Sequence, residues 1–333
     1  VGNTPPDLDE IVTLLGANAE TLGYAQSYYT VLTLCAPIIV LSFIHSNLVR
    51  CEGLANESMV GTILGAVVNI ILDPILISGL GMGALGAAVA TVIGYLCSVV
   101  YFLWVLRKKS RCLSVRLSQC RVSANELRQI LGVGVTAALS NLMQSLTVIV
   151  INQFLLAYGN DKIAAMGIVL KVNMIAQLIL TGFAFGGVPM YGYLYGAKQQ
   201  DTLKKLLRFC LLFLCGLSLV LTAFLCLAAI PLMQLFVQDS ALVATGAEML
   251  RWQAATAVFA GIILLLTVLF QATGKIVPAF LLSISRQGVL LVLCMLLFSS
   301  LFGYMGILLA QAVSDVLTGI LGFLLLRRSK ILL

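Results

Sequence analysis

The sequence predicts an all-α integral membrane protein with about nine transmembrane helices. Hydrophobic residues make up 61% of the 333 residues and charged residues only 10%, against about 25% in ordinary globular domains. The apolar residues fall in runs of about 20 or more, the length that an α-helix needs to cross a bilayer. These runs lack the polar and apolar alternation of strands. Lipid is therefore expected to be the solvent for most of the chain.

Apolar runs bounded by charged residues, glycine or proline predict the individual helices. At about 1.5 Å of rise per residue, each run is long enough to cross a hydrocarbon core of about 30 Å. Three helices come first, a basic linker follows, and six more helices complete the chain. The nine predicted helices lie near residues 22–50, 58–79, 84–107, 126–158, 163–195, 203–236, 241–272, 276–300 and 304–326.

The positive charges predict the orientation of the chain in the membrane. Most of the 20 Lys and Arg residues lie at or near loops on one face of the nine-helix arrangement, while the opposite face carries mainly acids. Cytoplasmic loops of membrane proteins carry an excess of Lys and Arg. We therefore expect a multi-pass protein of a prokaryotic plasma (inner) membrane, with a cytoplasmic C-terminus and residue 1 outside. This asymmetry explains the net charge of +7 with no nucleic acid as a partner.

A weak internal repeat predicts the domain organisation. Residues 11–107 resemble residues 232–327 at a shift of 221 or 220, with matching helix lengths, turn glycines and basic helix ends. Internal symmetry of this kind is common in transporters, and chance similarity between apolar helices is the alternative. The repeat predicts that 1–107 is the C-terminal half of an N-lobe, 108–125 a basic cytoplasmic linker and 126–333 a complete six-helix C-lobe. On this interpretation the N-lobe is incomplete by three helices.

The run NIILDP at 69–74 is the strongest candidate for a binding site. Asn69 and Asp73 are four residues apart and therefore lie on one face of the helix. A carboxylate inside a span costs about 2.5–3.5 kcal/mol on insertion scales, so Asp73 needs a partner, a proton or a cation. Pro74 removes a backbone donor and thereby frees a carbonyl. Thr91 lies at similar depth on the next, antiparallel helix.

These groups predict a site for a coupling cation, with two ions left open. Oxygen ligands from Asp73, Asn69 and Thr91 suit Na⁺, while an apolar setting suits a proton relay through the carboxyl group. The alternative is that Asp73 only caps a helix break near the outer interface.

Three further ionisable residues are predicted inside the membrane. Asp315 lies in the last helix, Lys171 in the fifth and Arg286 in the eighth. If they surrounded one cavity, they would form an intramembrane polar pathway. Lys171 is also explained by snorkelling to the interface, and Arg286 by its position towards the cytoplasmic end.

The end of the fifth predicted helix combines glycines, a proline and aromatic residues at 182–197. Gly186 and Gly192 would let neighbouring helices approach closely, and Pro189 would permit bending. This composition fits either gating or simple packing.

The sequence lacks the patterns that would indicate an enzyme. The run GMGALG at 81–86 matches a dinucleotide-binding pattern, but it follows a transmembrane helix and not a strand. The nine cysteines sit singly, there is one histidine, and no nucleophile with a base is recognisable. We therefore expect no enzymatic activity, no cofactor, and no metal other than a coupling Na⁺.

The sequence contains the runs LGA at 15–17, RCEG at 50–53, NIILDP at 69–74, GALGAA at 83–88, residues 189–198 and RQ at 286–287. Together these runs resemble the multidrug and toxic compound extrusion (MATE) family of bacterial and archaeal transporters. The resemblance implies two six-helix lobes around a central cavity, and export of organic cations and other drugs in exchange for H⁺ or Na⁺. It also implies that Asn69, Asp73 and Thr91 form the cation site of the N-lobe. The helix near residue 126 lacks the membrane glutamate of one branch of the family, so coupling of that type is not expected in the C-lobe.

The combined prediction is a cation-coupled antiporter for drugs or organic cations, working as a monomer in the lipid bilayer. Three alternatives remain: a flippase for lipid-linked oligosaccharide precursors on a related fold, a membrane-embedded transferase, and a truncated remnant that does not transport. The flippase would be expected to have an Arg-rich cavity, for which the sequence offers only Arg286 and Lys171. The missing metal and nucleophile motifs count against the transferase.

Overall fold

The computed structural model describes residues 22–110, 113, 123–329 and 331, and every regular element within them is helical. The predicted outer stretch before residue 22 and most of the predicted linker lie outside the described residues. The chain divides into two compact units, Val1–Arg121 and Val122–Leu333.

In its described residues the first unit contains three spans, one of which is bent. Helices α1 (Leu22–Leu34) and α2 (Ala36–Cys51) form a broken span with a bend of 55°. Pro37 in the first turn of α2 has no N–H to donate back to α1, which accounts for the break. Helix α3 (Ala55–Pro74) runs into a π-helical turn (Ile75–Gly79), and α4 (Gly83–Lys109) returns across the membrane.

The described part of the second unit contains six spans, several of them interrupted. Its helices are α5 (Ala124–Leu156), α6 (Asn160–Gly186), α7 (Val188–Gly196), α8 (Gln200–Leu227), α9 (Ala229–Gln234), α10 (Ser240–Ala255), α11 (Ala257–Ala272), α12 (Ile276–Ile284), α13 (Leu290–Phe302) and α14 (Tyr304–Arg328). Helices α6 and α7 belong to one long span, and α10 and α11 form a pair bent by 46°. A π-helical turn (Ser285–Val289) joins α12 to α13.

The prediction of an all-α membrane protein is confirmed. Among the described residues, seven helical segments are long and apolar enough to cross a membrane, or nine when each bent pair counts as one span. Each predicted helix corresponds to one of these spans, with ends that differ by a few residues. The bends and π-helical turns were not predicted, because the length and average composition of a run do not specify its local helical geometry.

Three spans of the second unit repeat the helix boundaries of the first unit. The breaks in the two bent spans, at Cys35 and Thr256, are 221 residues apart. The turn glycines Gly53 (φ +85°) and Gly274 (φ +69°) have the same separation, and both adopt a conformation that favours glycine. The first residues of the corresponding helices, again 221 apart, are Ala36 and Ala257, Ala55 and Ile276, and Gly83 and Tyr304. Each unit therefore contains the same three-span motif.

Close packing of α13 against α14 depends on Gly306. A Cβ atom at this position would overlap the carbonyl oxygen of Phe298 on α13. Small residues are needed where backbones touch in a membrane, since lipid is as apolar as the side chains and helix association relies on close contact. The hairpin therefore tolerates no side chain at Gly306.

We expect Gly306→Val to lower the free energy of unfolding by about 1–3 kcal/mol, because the new side chain meets backbone, which cannot rotate away. Gly216→Val is the matched control, since a Cβ at Gly216 on α8 would lie in open space. Thermal unfolding of the purified proteins in detergent checks this. Equal melting temperatures for the two variants would contradict the close contact.

Candidate cation-binding site

Helices α3 and α4 of the first unit touch along their backbones. A Cβ atom at Gly65 would lie 2.7 Å from the carbonyl oxygen of Gly94, and one at Gly94 would lie 2.6 Å from the carbonyl oxygen of Gly65. The buried hydroxyl of Ser98 donates a hydrogen bond across the contact to the carbonyl of Gly61 at 2.9 Å. This contact fixes the register of the two helices one turn before Asn69.

The three residues predicted as a cation site lie together beyond this contact. Nδ2 of Asn69 donates to Oδ1 of Asp73 and to Oγ1 of Thr91, each at 3.4 Å. The Thr91 hydroxyl uses its own proton on the carbonyl of Ala87 at 2.9 Å, so its oxygen is left to accept or to ligate. All three side chains are half-buried. Two helices thus present a carboxylate, an amide and a hydroxyl group to one point.

Asp73 has no cationic side chain as a partner among the described residues. The two ion pairs found there join Lys109 to Glu57 and Arg286 to Asp315. The bond from Asn69 is neutral and long, and therefore weak. A carboxylate in a span needs compensation, so this geometry can accept a proton or a cation with hard oxygen ligands.

Pro74 does not end the helix that carries Asp73. The chain continues through the π-helical turn, in which the N–H of Leu80 donates to the carbonyl of Ile75 at 2.8 Å. The turn packs closely on α4, because a Cβ at Gly86 would lie 2.8 Å from the carbonyl oxygen of Leu76. Asp73 therefore lies inside a continuous span, next to a distortion of the kind that is frequent at functional sites.

The sequence prediction missed the glycines that position the site. Gly61, Gly65, Asn69 and Asp73 follow each other at intervals of four residues, which places them on one face of α3. The spacing of the two glycines is the small-xxx-small pattern of closely packed membrane helices. This pattern was the signal that could have predicted which face of α3 meets α4.

Arg286 and Asp315, two of the three residues predicted as a polar pathway, form an ion pair inside the second unit. Nε of Arg286 donates to Oδ1 of Asp315 at 3.1 Å. Asp315 is only 2% exposed and Arg286 is half-buried. Both lie within membrane spans, Ile276–Phe302 and Tyr304–Arg328. The two charges neutralise each other where water is scarce.

The π-helical turn that carries Arg286 is bonded to two other helices. The hydroxyl of Ser314 on α14 donates to the carbonyl of Arg286 at 3.2 Å, and the hydroxyl of Thr147 on α5 donates to the carbonyl of Gln287 at 2.7 Å. A π-helical turn displaces carbonyls from the regular pattern, and in lipid each of them needs another donor. Side chains of α5 and α14 supply those donors.

Lys171 lies apart from this ion pair. Its side chain is exposed on the surface of the second unit, within the span Asp161–Gly196, and it makes no ion pair with any described residue. The polar pathway of Lys171, Arg286 and Asp315 stays a prediction.

The segment at 182–197, with its glycines, proline and aromatic residues, contains a break in the helix at Gly187, between α6 and α7. Gly186 ends α6, and Pro189 lies in the first turn of α7. The fully buried ring of Tyr191 packs against Gly187, where a Cβ would lie 2.6 Å from its Oη atom. Gly192 faces the carbonyl of the last residue of α11, with 3.5 Å left for a Cβ. Tight packing surrounds the break, and the gating role of these residues stays a prediction.

Comparison with known sequences finds one family across most of the chain. A model of the MatE family matches residues 8–75 and 136–296. The multidrug export protein MepA of Staphylococcus aureus (strain NCTC 8325 / PS 47) is 30% identical over 330 residues, which cover 97% of this chain and 71% of that protein. MepA of Staphylococcus saprophyticus is 30% identical over 317 residues, which cover 95% and 70%.

Solved structures of transporters match nearly the whole chain. A MATE structure in complex with MaL6 has a TM-score of 0.90 at 26% identity, covering 98% of this chain and 74% of its own. An outward-facing multidrug resistance MATE family transporter of the MOP superfamily has a TM-score of 0.89 at 26% identity, with the same coverage. A MOP superfamily transporter from Pyrococcus furiosus, described by a reverse polarity of its binding pocket, has a TM-score of 0.88 at 27% identity, again with this coverage.

We expect neutralising one member of the Arg286–Asp315 pair to destabilise the protein more than neutralising both. Arg286→Gln or Asp315→Asn leaves one charge unpaired in a span, which costs about 3–5 kcal/mol for a buried pair, whereas the double variant leaves none. Thermal unfolding of wild type, both single variants and the double variant forms a double-mutant cycle. Additive losses in this cycle would show that the two side chains are not an energetic unit.

Proposed function

Because the chain belongs to the MATE family of efflux transporters, we propose that it is a secondary antiporter that exports drugs or organic cations in exchange for H⁺ or Na⁺. The family is one of transporters, so the chain is not an enzyme. The multidrug export relatives support drugs as substrates. The observation that carries the coupling proposal is the convergence of Asn69, Asp73 and Thr91 in the first unit.

In this proposal Asp73 binds the coupling ion. Its carboxylate accepts a hydrogen bond from the neutral amide of Asn69, so a proton or Na⁺ would remove a charge that is costly in the membrane. Asn69 and Thr91 would orient the carboxylate and add oxygen ligands. A bound ion shifts a conformational equilibrium only by its preference for one state over the other. Loading at Asp73 would therefore shift the equilibrium toward the state that releases the drug, and the ion gradient would drive export.

We place the protein in the plasma membrane of a prokaryote, as a monomer with a cytoplasmic C-terminus. Its several membrane spans support the location. Basic residues at the ends of α4 and α14 support the orientation, since positive charge marks cytoplasmic loops. In a two-lobe architecture, the second unit with its described six spans would be the C-lobe, and the first unit would belong to the N-lobe.

The ion pair in the second unit weighs against the flippase alternative. A site for a lipid-linked diphosphate needs basic groups that are free to contact phosphate. Arg286 is already bonded to Asp315, which leaves Lys171 alone of the two predicted intramembrane bases. Drug export therefore fits the charges of the described spans better.

We expect Asp73→Asn to abolish gradient-driven export, because asparagine keeps the shape and hydrogen bonding of the residue but carries no exchangeable charge. The matched control is Asp161→Asn, which removes an exposed acid at the start of a span. Ethidium export from energised cells without other exporters measures activity, and the amount of folded protein in the membrane is measured in parallel. Full export by Asp73→Asn would contradict the coupling site.

Thr91→Val distinguishes a role in Na⁺ binding from a purely structural one. Na⁺ needs several oxygen ligands and a proton needs only the carboxylate, so the apparent affinity for Na⁺ should fall about tenfold while H⁺-driven export persists. Thr62→Val, which removes an exposed hydroxyl from α3, is the control. Ethidium transport by proteoliposomes is measured under a Na⁺ gradient and, separately, under a pH gradient. An equal loss under both gradients would mean that the Thr91 hydroxyl supports the fold and not the ion.

A further inference from the structure

The repeated helix pairs of the two units cross at corresponding residues. Gly65 and Arg286 are 221 residues apart, and Gly94 and Ser314 are 220 apart. In the first unit Gly65 and Gly94 touch through their backbones. In the second unit the Ser314 hydroxyl donates to the carbonyl of Arg286 at 3.2 Å. The contact is thus retained, but a glycine in one unit is replaced by an arginine in the other.

The acids near the two crossings are not at corresponding positions. The residues 221 positions after Asn69 and Asp73 are Leu290 and Cys294, so the second unit does not repeat the polar trio on its helix. It carries Asp315 directly beside the crossing residue Ser314 instead. Each unit therefore has an acid near its crossing, but Asp73 lies on the first helix of its pair and Asp315 on the second.

The two acids differ in how their charge is compensated. Asp73 is half-buried and accepts a hydrogen bond from the neutral amide of Asn69. Asp315 is 2% exposed and receives a hydrogen bond from the Arg286 guanidinium at 3.1 Å. Under the proposed function an ion at Asp73 exchanges in each cycle, whereas the guanidinium is part of the chain and cannot leave. The second unit therefore has a charge-compensated acid without any bound ion.

We propose that the Arg286 guanidinium is a built-in cation that occupies, beside Asp315, a site that the second unit would otherwise offer to Na⁺ or H⁺. This inference rests on the proposed ion coupling at Asp73. It assigns a division of labour, in which the first unit exchanges an ion in each cycle and the second unit holds a permanent one. Removal of the guanidinium, with Asp315 retained, would open a second exchangeable cation site.

The test measures how many cations move for each drug molecule. Wild type, Arg286→Gln, the double variant Arg286→Gln/Asp315→Asn, and Asp73→Asn are reconstituted in proteoliposomes. Ethidium uptake is recorded together with Na⁺ flux, using radioactive sodium, and with H⁺ flux, using a pH-sensitive dye. Arg286→Gln should raise the ratio of cations to ethidium by about one, because Asp315 becomes free to bind an ion. The double variant should return to the wild-type ratio, because it has neither the guanidinium nor the acid.

A second measurement covers the case in which Arg286→Gln does not reconstitute. Added guanidinium ion should raise the melting temperature of purified Arg286→Ala, where it can refill the vacated position, more than that of Arg286→Ala/Asp315→Asn. An unchanged ratio in Arg286→Gln, an altered ratio in the double variant, or equal effects of guanidinium on the two alanine variants would each overturn the inference. Coupled transport by Asp73→Asn would instead overturn the proposed function, so the two failures are distinguishable.

Discussion

The cost of an uncompensated charge in lipid is the constraint on which the polar architecture of this protein depends. Two acids lie inside spans next to helix crossings, and each meets this constraint differently. Asp315 is buried with the guanidinium of Arg286. Asp73 is less buried and accepts a hydrogen bond from the neutral amide of Asn69, which also donates to Thr91. Because no cationic side chain of the described residues compensates this carboxylate, an exchangeable ion could perform that task.

Backbone contact between α3 and α4 brings Thr91 on α4 close to Asn69 and Asp73 on α3, which together form the candidate site. Gly61 and Gly65 allow α4 to approach so closely that the amide of Asn69, which reaches Asp73 on its own helix, also reaches Thr91 on α4. Larger residues at the glycines would separate the helices, and the hydroxyl would then be out of reach of the amide. In a membrane this approach has to come from small residues, because burial of apolar surface between helices provides little driving force.

The sequence predicted the spans and the grouping of Asn69, Asp73 and Thr91 because both depend on local spacing. Apolar runs determine where the spans lie, and four-residue spacing places Asn69 and Asp73 on one face. Thr91 was found because short turns make neighbouring spans antiparallel. The pairing of Arg286 with Asp315 depends on the register of two helices, which apolar composition does not encode. The bend at Thr256 was missed for a similar reason, since no proline marks it.

Because both units contain the three-span motif, the bonds that hold corresponding helix pairs together can be compared. In the second unit, a shift at the crossing would break the bonds from Ser314 and Thr147 to the π-helical turn, as well as the Arg286–Asp315 pair. In the first unit, a hydroxyl bond from Ser98 to Gly61 and a long amide bond from Asn69 to Thr91 join α3 to α4 within the span. The Lys109–Glu57 ion pair joins the same two helices at their ends, where it is partly exposed. Polar bonds lost inside lipid are not replaced by water, so each one adds to the cost of movement. In the described residues, only the crossing of the second unit has an ion pair inside the span, so we expect rearrangement to be less costly at the crossing of the first unit, beside Asp73. Under the proposed coupling, an ion bound at Asp73 would therefore act where the balance between conformations is easier to shift.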